Sequence, residues 1–354
     1  MKKILTVVGA RPQFIKAAPV CFALRDAGIE EVLVHTGQHY DDKMSDIFFR
    51  EMGIPRPTHN LNVGSGSHGS QTGEILTRIE AVMLADMPDI ALVYGDTNST
   101  LAGALAACKL NIPIAHVEAG LRSFNRAMPE EHNRVLADHC SSLLFCPTEA
   151  AVRNLAKENI CQGVHLVGDT MYDAVLRYLP KAEAESRILK TLGLPSKEYY
   201  LATVHRPYNT DDPVSMSRLV DTFGRLDGLV VFPIHPRTLA RLQQFGIVMP
   251  TNVLAIDPVG YLDMLVLQRY ARVILTDSGG VQKEACFVGT PCVTLRPETE
   301  WVETVESCWN RLAWGNADTI LDAVASARIC PALPFRAYGD GNAAETIVRL
   351  LAAS

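Results

Sequence analysis

Four carboxylates of this sequence occupy positions from which they could exchange protons with a substrate. Asp96 and Glu118 each follow a β-rich apolar run, and Glu130 and Glu131 follow a proline that is typical of a helix start. Because neighbouring parallel strands end at one edge of a sheet, we expect these acids to cluster there, as acid–base catalysis requires. Helix capping by Asp96 and helix-dipole pairing by the two glutamates are structural alternatives that stay open.

A Ser-Gly-Gly segment, residues 278–280, lies between the apolar run Val273–Thr276 and a helical pattern. Its two glycines allow backbone N–H groups to turn toward a diphosphate, and a helix N-terminus adds positive partial charge. Glu284, about one turn into the predicted helix, could accept hydrogen bonds from ribose hydroxyls. An ordinary turn with Glu284 on the solvated face is the alternative. At a strand end, the combination indicates a nucleotide-sugar site.

The turn after the first predicted strand, Gly9–Gln13, contains one glycine where a dinucleotide site requires three. We therefore expect no redox cofactor. Arg11 and Lys16 follow in this turn and the helix after it, where both could face an anionic ligand. A helix-start arginine and a solvated lysine would explain them equally well.

Two histidines of the second half, His205 and His235, also end apolar runs, beside an arginine and a proline. A single histidine in such a place is more often structural, but two at strand ends favour a catalytic or nucleotide-binding role. His39 is a weaker candidate. Because histidine and carboxylate spacings form no chelating set, we expect no metal.

The chain alternates apolar runs with helical segments, which predicts parallel strands covered by helices on both faces. The predicted strands of the first half are Ile4–Val8, Val32–His35, Ile90–Tyr94, Ile114–Val117 and Leu143–Cys146. Those of the second half are Tyr200–Val204, Leu229–Ile234, Val253–Ile256, Val273–Thr276 and Cys292–Leu295. The predicted fold class is α/β, with two Rossmann-like domains facing a central cleft.

We place the domain boundary at the charged helical segment Tyr172–Leu194. The predicted domains are residues 1–172 and 173–341, and a closing helix, residues 342–354, is expected to pack back on the first domain. The length of 354 residues supports two domains, because a single core stops growing below that size.

Composition narrows the range of partners. The net charge of −6 argues against a nucleic-acid partner, which would need a basic excess. No apolar run approaches the roughly 18 residues that a membrane span requires. The nine cysteines are scattered without a Cys-x-x-Cys pair, which is typical of reduced thiols in the cytoplasm.

Nine short motifs are spread in order over nearly the whole chain. They are Gly9–Lys16, Tyr94–Thr97, His116–Arg122, Met128–Arg134, Phe145–Thr148, Val204–Arg206, His235–Pro236, Thr276–Gly280 and Tyr338–Gly341. Together they resemble the non-hydrolysing UDP-N-acetylglucosamine 2-epimerase family, a combination far more specific than any single motif.

The resemblance implies a glycosyltransferase-B type fold, a homodimer and a UDP-linked amino sugar as substrate. The residues that match UDP contacts are Arg11, His235, Ser278, Gly279, Gly280 and Glu284. Those that match the catalytic surroundings are Lys16, Asp96, Glu118, Glu130, Arg134 and His205. The implied reaction eliminates UDP with the C2 proton to give a 2-acetamidoglucal, and then adds UDP back after C2 is protonated on the other face.

Several stretches differ from the commonest pattern of the family. Gln13 stands where glutamate is usual, Trp301 replaces a common arginine, and residues 35–41 and 64–69 also differ. These variants resemble the branch that acts on UDP-2,3-diacetamido-2,3-dideoxyglucuronate. A glycosyltransferase of the same fold, a hydrolysing epimerase and a non-enzymatic UDP-sugar sensor are the alternatives. The acidic cluster argues against a transferase, which needs an acceptor pocket there, and against a sensor, which needs no such groups.

Overall fold

The computed structural model describes residues 2–38, 49–327 and 336–354, and its chain divides into two compact units. Unit 1 comprises Met1–Leu176 and Arg336–Ser354, and unit 2 comprises Arg177–Phe335. The boundary lies inside a helix. His39, a candidate from the sequence, lies outside the described residues.

Within the described residues, unit 1 contains a seven-stranded parallel sheet in the order β3-β2-β1-β4-β5-β6-β7. Its strands are β1 (Lys3–Val8), β2 (Glu30–His35), β3 (His59–Asn60), β4 (Ile90–Tyr94), β5 (Ile114–Val117), β6 (Leu143–Cys146) and β7 (Val164–Leu166). The central strands β4 and β5 are buried along their whole length, because helices cover both faces of the sheet.

The helices of unit 1 are α1 (Arg11–Asp26), α2 (His68–Asp86), α3 (Asn98–Lys109), α4 (Pro129–Cys140), α5 (Glu149–Lys157), the first part of α6 (Thr170–Glu185) and α15 (Ala343–Ala353). Three helices of unit 1, α2, α3 and α5, begin at a serine or threonine whose side chain caps the helix. For example, the side-chain oxygen of Thr97 accepts a hydrogen bond from the backbone N–H of Thr100 at the start of α3. The last helix, α15, packs on α1.

Within its described residues, unit 2 contains a six-stranded parallel sheet in the order β10-β9-β8-β11-β12-β13. Its strands are β8 (Tyr199–Thr203), β9 (Leu229–Pro233), β10 (Val253–Ile256), β11 (Val273–Thr276), β12 (Cys292–Thr294) and β13 (Asn310–Leu312). Its helices after α6 are α7 (Ile188–Leu192), α8 (Pro207–Thr210), α9 (Pro213–Gly224), α10 (Pro236–Phe245), α11 (Tyr261–Tyr270), α12 (Gly279–Val288), α13 (Val302–Glu306) and α14 (Ala317–Ser326).

The charged helical segment predicted over Tyr172–Leu194 is two helices rather than one. Helix α6 ends at Glu185, and α7 begins at Ile188. The hydroxyl of Ser186 accepts a hydrogen bond from the Ile188 backbone N–H at 3.2 Å. This side-chain acceptor replaces an intrahelical bond, so a new helix starts here.

Both sheets have the strand order of the doubly wound nucleotide-binding fold, in which ligands bind where the chain reverses direction across the sheet. In unit 1 that reversal separates β1 from β4, and in unit 2 it separates β8 from β11. The paired ends lie side by side: Val7 is in register with Val93, and Thr203 with Thr276. The predicted α/β class with two Rossmann-like sheets is confirmed. Over the residues described, no helix is long and apolar enough to cross a membrane.

Candidate active site

A buried ion pair lies at the carboxyl end of the unit 1 sheet. Lys16 on α1 places its Nζ atom 2.6 Å from Oε2 of Glu118, which directly follows β5, and both side chains are under one-tenth exposed. Glu118 has a backbone φ of +73°, a conformation rarely adopted by residues with a side chain. Strained backbone of this kind is concentrated at functional sites, where surrounding contacts hold it.

Gly95 allows the lysine to reach this position. Its φ is +61°, and its backbone N–H donates to the Val117 carbonyl at 3.0 Å. A Cβ atom at Gly95 would lie 3.2 Å from the ammonium nitrogen of Lys16. The Lys16 ammonium group therefore packs against the turn after β4 while it is paired with Glu118, the residue after β5.

A second ion pair involves Asp96, the residue after Gly95. Its carboxylate is bonded to Nη2 of Arg134 on α4, and the Arg134 side chain is 3% exposed while that of Asp96 is 27% exposed. Nη1 of Arg134 also lies 3.2 Å from Glu131 Oε2. Asn133 donates to the Asp96 backbone carbonyl at 2.9 Å, so α4 holds both the side chain and the backbone of Asp96.

The two glutamates at the start of α4 have different surroundings. Glu131 is buried and accepts hydrogen bonds from the backbone N–H groups of Ser123 and Phe124, at 2.9 Å each. It therefore holds the loop that precedes α4, a structural role that differs from the expected helix-dipole pairing. Glu130 is half-buried in the first turn of α4, near the end of the sheet that carries Asp96.

Gln13 is a site-forming residue that the sequence analysis noted only as a variant. Its Oε1 accepts from the backbone N–H groups of Gly9 and Ala10 at 2.9 and 3.0 Å, and its Nε2 donates to the Tyr94 carbonyl at 2.9 Å. One amide side chain thus joins the ends of β1 and β4. Arg11, half-buried, begins α1 at this junction.

In unit 2, a buried carboxylate organises the turn after β8. Asp277, directly after β11, is fully buried. It accepts from the backbone N–H groups of His205 and Arg206 at 3.1 and 2.9 Å, and from Nδ2 of Asn209 at 3.0 Å. The Nδ1 atom of His205 lies 3.2 Å from Asp277 Oδ1, and 47% of the His205 side chain is exposed. Asp277 therefore anchors the histidine, although the sequence analysis gave it no role.

The predicted diphosphate-binding turn begins α12. Ser278 is its N-cap residue, and Gly279 and Gly280 form the first helical positions. A Cβ atom at Gly279 would lie 2.8 Å from Oε1 of Glu300, so a side chain at this position would force the turn or the carboxylate to shift. Nη2 of Arg296 lies 2.9 Å from Glu300 Oε2, and both of these side chains are buried.

Glu284 and His235, the other proposed UDP contacts of unit 2, both have partners within the protein. Glu284 is 4% exposed, and its Oε2 accepts from Nε2 of Gln268 at 2.8 Å. Burial raises the pKa of Tyr261 well above the usual value, and the nearby Glu284 carboxylate raises it further. The exposed His235 caps α10, with Nδ1 accepting from the Arg237 N–H at 3.2 Å.

The structure thus brings four predicted residues of unit 1 together: Lys16, Glu118, Asp96 and Arg134 lie around the Gly95 turn. In unit 2, His205 and Ser278 follow adjacent strands and meet through Asp277. In the described ranges, no group of three or more histidine, cysteine, aspartate or glutamate side chains is arranged to hold a metal ion.

The chain is similar over nearly its whole length to proteins of a known family. The family model described as UDP-N-acetylglucosamine 2-epimerase matches residues 23–352. The chain is 52% identical over 354 residues to a UDP-N-acetylglucosamine 2-epimerase homolog of Methanococcus maripaludis, with 99% of each sequence covered. It is 47% identical over 362 residues to UDP-2,3-diacetamido-2,3-dideoxy-D-glucuronate 2-epimerase of Pseudomonas aeruginosa, again with 99% of each covered.

A solved structure extends the likeness to three dimensions. UDP-GlcNAc 2-epimerase of Methanocaldococcus jannaschii, in complex with UDP-GlcNAc and UDP, matches with a TM-score of 0.91 and 42% sequence identity, and the match covers 100% of both chains. The resemblance carried by the nine motifs is therefore confirmed, and this chain belongs to the UDP-N-acetylglucosamine 2-epimerase family.

Proposed function

We propose that this chain inverts C2 of a UDP-linked 2-acetamido sugar by eliminating UDP and adding it back. The observation that carries the proposal is the pair of carboxylate–cation contacts around the Gly95 turn, Glu118 with Lys16 and Asp96 with Arg134. They place two acids at the edge of the sheet where doubly wound folds bind ligands. Membership of the UDP-N-acetylglucosamine 2-epimerase family supports epimerisation at C2 as the class of reaction.

The chemistry explains why acids and a retained nucleotide are needed. C2 bears an amide nitrogen and has no neighbouring carbonyl, so simple deprotonation would give an unstabilised carbanion. Removal of the C2 proton instead forms the C1–C2 double bond as the C1–O bond breaks, and UDP leaves with the electron pair. Protonation of C2 from the other face and attack of the UDP oxygen on C1 then complete the inversion.

We assign the proton transfers to Asp96, Glu118 and Glu130, with His205 assisting. General catalysis needs one ionised and one protonated group on opposite faces of the sugar. Lys16 and Arg134 fix the orientation of Glu118 and Asp96 through the two ion pairs.

We assign UDP binding to the Ser278–Gly280 turn and to Arg11, Glu284 and His235. The N–H groups at the start of α12 suit the negative charge that develops on a departing diphosphate. The glycine at position 279 keeps the backbone of this turn free of a side chain.

Two substrates are candidates, UDP-N-acetylglucosamine and UDP-2,3-diacetamido-2,3-dideoxyglucuronate. Relatives at 45% and 47% identity carry names for the first and the second compound, respectively. The sequence variants at Gln13 and Trp301 favour the diacetamido uronate. We also propose a cytoplasmic homodimer. The eight cysteines in the described part of the chain are all free thiols, which is consistent with a reducing compartment.

Incubation of the purified protein with each candidate, followed by proton NMR of the anomeric and H2 signals, tests the proposal. We expect a new manno-type epimer that still carries UDP, formed from one candidate much faster than from the other. Accumulation of free UDP with free sugar would instead indicate a hydrolysing epimerase. If both compounds stay unchanged while they bind, the protein is a sensor or a transferase. Size-exclusion chromatography with light scattering measures the molar mass of the purified protein and tests the proposed dimer.

A further inference from the structure

A chain of buried hydrogen bonds lies beneath the Gly95 turn and is absent from the catalytic assignments above. At its centre is His116 on β5, whose side chain is 0% exposed. Its Nε2 atom lies 2.7 Å from the Gly95 carbonyl oxygen, and its Nδ1 atom lies 2.7 Å from Oδ1 of Asp138. Both ring nitrogens therefore face an oxygen atom.

Asp138, on α4, has two further donors on its other oxygen. Oδ2 accepts from Nη1 of Arg122 at 2.7 Å and from the Gly120 backbone N–H at 3.1 Å. Arg122 in turn donates to both oxygens of Glu158, at 2.7 Å each. The chain thus runs from the half-buried Glu158 through three buried side chains to the Gly95 carbonyl.

The partners of His116 determine how many protons its ring carries. A peptide carbonyl only accepts hydrogen bonds, so Nε2 must carry a proton. An ionised carboxylate also only accepts, so Nδ1 must carry one as well if Asp138 is ionised. Burial alone raises the pKa of Asp138, but hydrogen bonds and charge from His116 and Arg122 outweigh burial and hold this pKa below the usual value.

The surrounding charges are consistent with a cationic ring. With His116 protonated, the two cations, His116 and Arg122, balance the two anions, Asp138 and Glu158, so the buried chain has no net charge. One further ionisable group faces Asp138: burial, and then the Asp138 charge, raise the pKa of the Cys146 thiol to about 12, so it stays neutral.

Two other groups lie at the ends of the chain. The His139 Nε2 atom is 3.4 Å from Glu158 at the outer end, where its side chain is 48% exposed. At the inner end, the Lys16 ammonium lies against Gly95 and is balanced by Glu118. Neither group leaves an unbalanced charge beside the histidine ring.

We propose that His116 is a doubly protonated positioning residue, which holds the Gly95 carbonyl and thereby fixes Asp96 at the edge of the sheet. A hydrogen bond from a charged donor is roughly twice as strong as one between neutral groups, so this bond restrains the peptide that joins Gly95 to Asp96. Gly95 needs such restraint, because a glycine turn has more conformational freedom than any other. The role in catalysis rests on the proposed function, whereas the protonation state of His116 does not.

Nitrogen-15 NMR of the full-length protein tests the protonation state directly. With histidine labelled and the His116 signals assigned through bonds to the backbone, we expect both ring nitrogens to carry a proton in neutral to mildly alkaline buffer, because each faces a hydrogen-bond acceptor. A neutral ring with one unprotonated nitrogen would overturn the proposal. This readout needs neither substrate nor a variant, so it stands even if the chain fails to epimerise either candidate.

The Asp138→Asn variant tests the positioning role. Asparagine can still accept from Arg122 and Gly120, and its amide can donate to a neutral His116 ring, so hydrogen bonding is retained while the charge is lost. We expect His116 to become neutral and kcat to fall about tenfold or more, with KM nearly unchanged, because misplacement of a catalytic group raises the barrier to reaction.

The Asp86→Asn variant is the matched control. Asp86 forms another aspartate–histidine contact in unit 1, to His59 at 2.7 Å. The Asp86→Asn substitution should leave kcat and the His116 signals unchanged. An Asp138→Asn variant that retains its fold by circular dichroism and the kcat of the parent protein would refute the positioning role.

Discussion

The Nζ atom of Lys16 lies 2.6 Å from Oε2 of Glu118, and fewer than one-tenth of either side chain is exposed. Lysine and glutamate are rarely buried to this extent unless they are paired. The pair joins α1 to the residue after β5, across strand β4, which leads into Gly95 and Asp96. A contact that costs desolvation energy and includes a candidate acid is more readily explained by catalysis than by stability.

Removal of this ammonium should destabilise the protein and stop turnover. In Lys16→Met, the Glu118 carboxylate stays buried without its cation, so we expect a loss of about 3 kcal/mol in the free energy of unfolding. Adding Glu118→Gln should restore much of this stability but none of the activity. Urea denaturation and the NMR assay measure the two effects.

Lys3→Met is the control for that series. Lys3 forms a more exposed ion pair with Glu30 at 3.5 Å, so the same substitution should change the free energy of unfolding by less than about 1 kcal/mol. If Lys16→Met retains both parental stability and parental kcat, the ion pair has neither role.

We expect Asp277 to support activity by fixing the turn that carries His205. Asp277→Asn removes the charge that accepts from two backbone N–H groups and contacts the His205 ring. We expect kcat to fall by about 100-fold, because His205 loses its fixed position. Steady-state kinetics measures the change. The control is Asp211→Asn, which disrupts partly exposed contacts to Arg237 and Arg241 and should leave kcat unchanged.

Gly279→Ala should weaken UDP binding. A Cβ atom there would lie 2.8 Å from the Glu300 carboxylate, so either this turn or the buried Arg296–Glu300 pair must shift. We expect the Kd for UDP to rise about tenfold or more, measured by calorimetry. Gly73→Ala, where nothing lies within 4 Å, makes the same chemical change and should leave this Kd unaltered. Unchanged UDP affinity in Gly279→Ala would remove this turn from the nucleotide site.

Asp173 should make stability depend on pH. Burial raises its pKa from 3.8 to about 6, although its carboxylate accepts from the Ala344 N–H at 2.8 Å at the start of α15. A raised pKa means that the folded state binds the proton more tightly than the unfolded state. The stability from this group is therefore complete below about pH 4 and is lost as pH rises to about 6, by at most about 3 kcal/mol.

The Asp173→Asn variant measures that contribution. Asparagine keeps an acceptor for the Ala344 N–H but does not titrate, so the free energy of unfolding should fall less between about pH 4 and pH 6 than in the parent protein. Glu345→Gln, which removes an exposed carboxylate from α15, should retain most of the fall. Parallel pH curves for Asp173→Asn and the parent would show that Asp173 titrates normally.

The central strands and the edge strand β10 were predictable, whereas the short edge strands β3, β7 and β13 were not. Strands such as β4 and β11 are buried along their length, so each appears in the sequence as a continuous apolar run. The strands β3, β7 and β13 have two or three residues each and include polar or exposed side chains. Asn310 of β13, for instance, is buried with its side chain hydrogen-bonded to Thr294, Gln282 and Thr304. Such contacts between distant residues leave no local pattern.

The candidate site likewise has residues that the sequence identifies and contacts that it does not predict. Strand ends identified Asp96, Glu118, His205 and Ser278, because the position of a polar residue after an apolar run is a local property. The partners of these residues depend on strand order, so neither the Lys16–Glu118 contact nor the anchoring of His205 by Asp277 could be inferred from spacing. The positioning role of His116 was not predicted for another reason, because a histidine inside an apolar run is typical of a side chain packed in the core.

The most direct test of the account is solvent exchange at C2 during epimerisation. Wild-type protein is incubated with the preferred UDP-sugar in deuterated water, and the C2 position of both epimers is followed by NMR and mass spectrometry. Proton transfer by side-chain acids predicts an epimer that carries deuterium at C2 and is still linked to UDP. An epimer formed without any deuterium at C2 would contradict the account, because the C2 proton would then never have been exchanged through these acids.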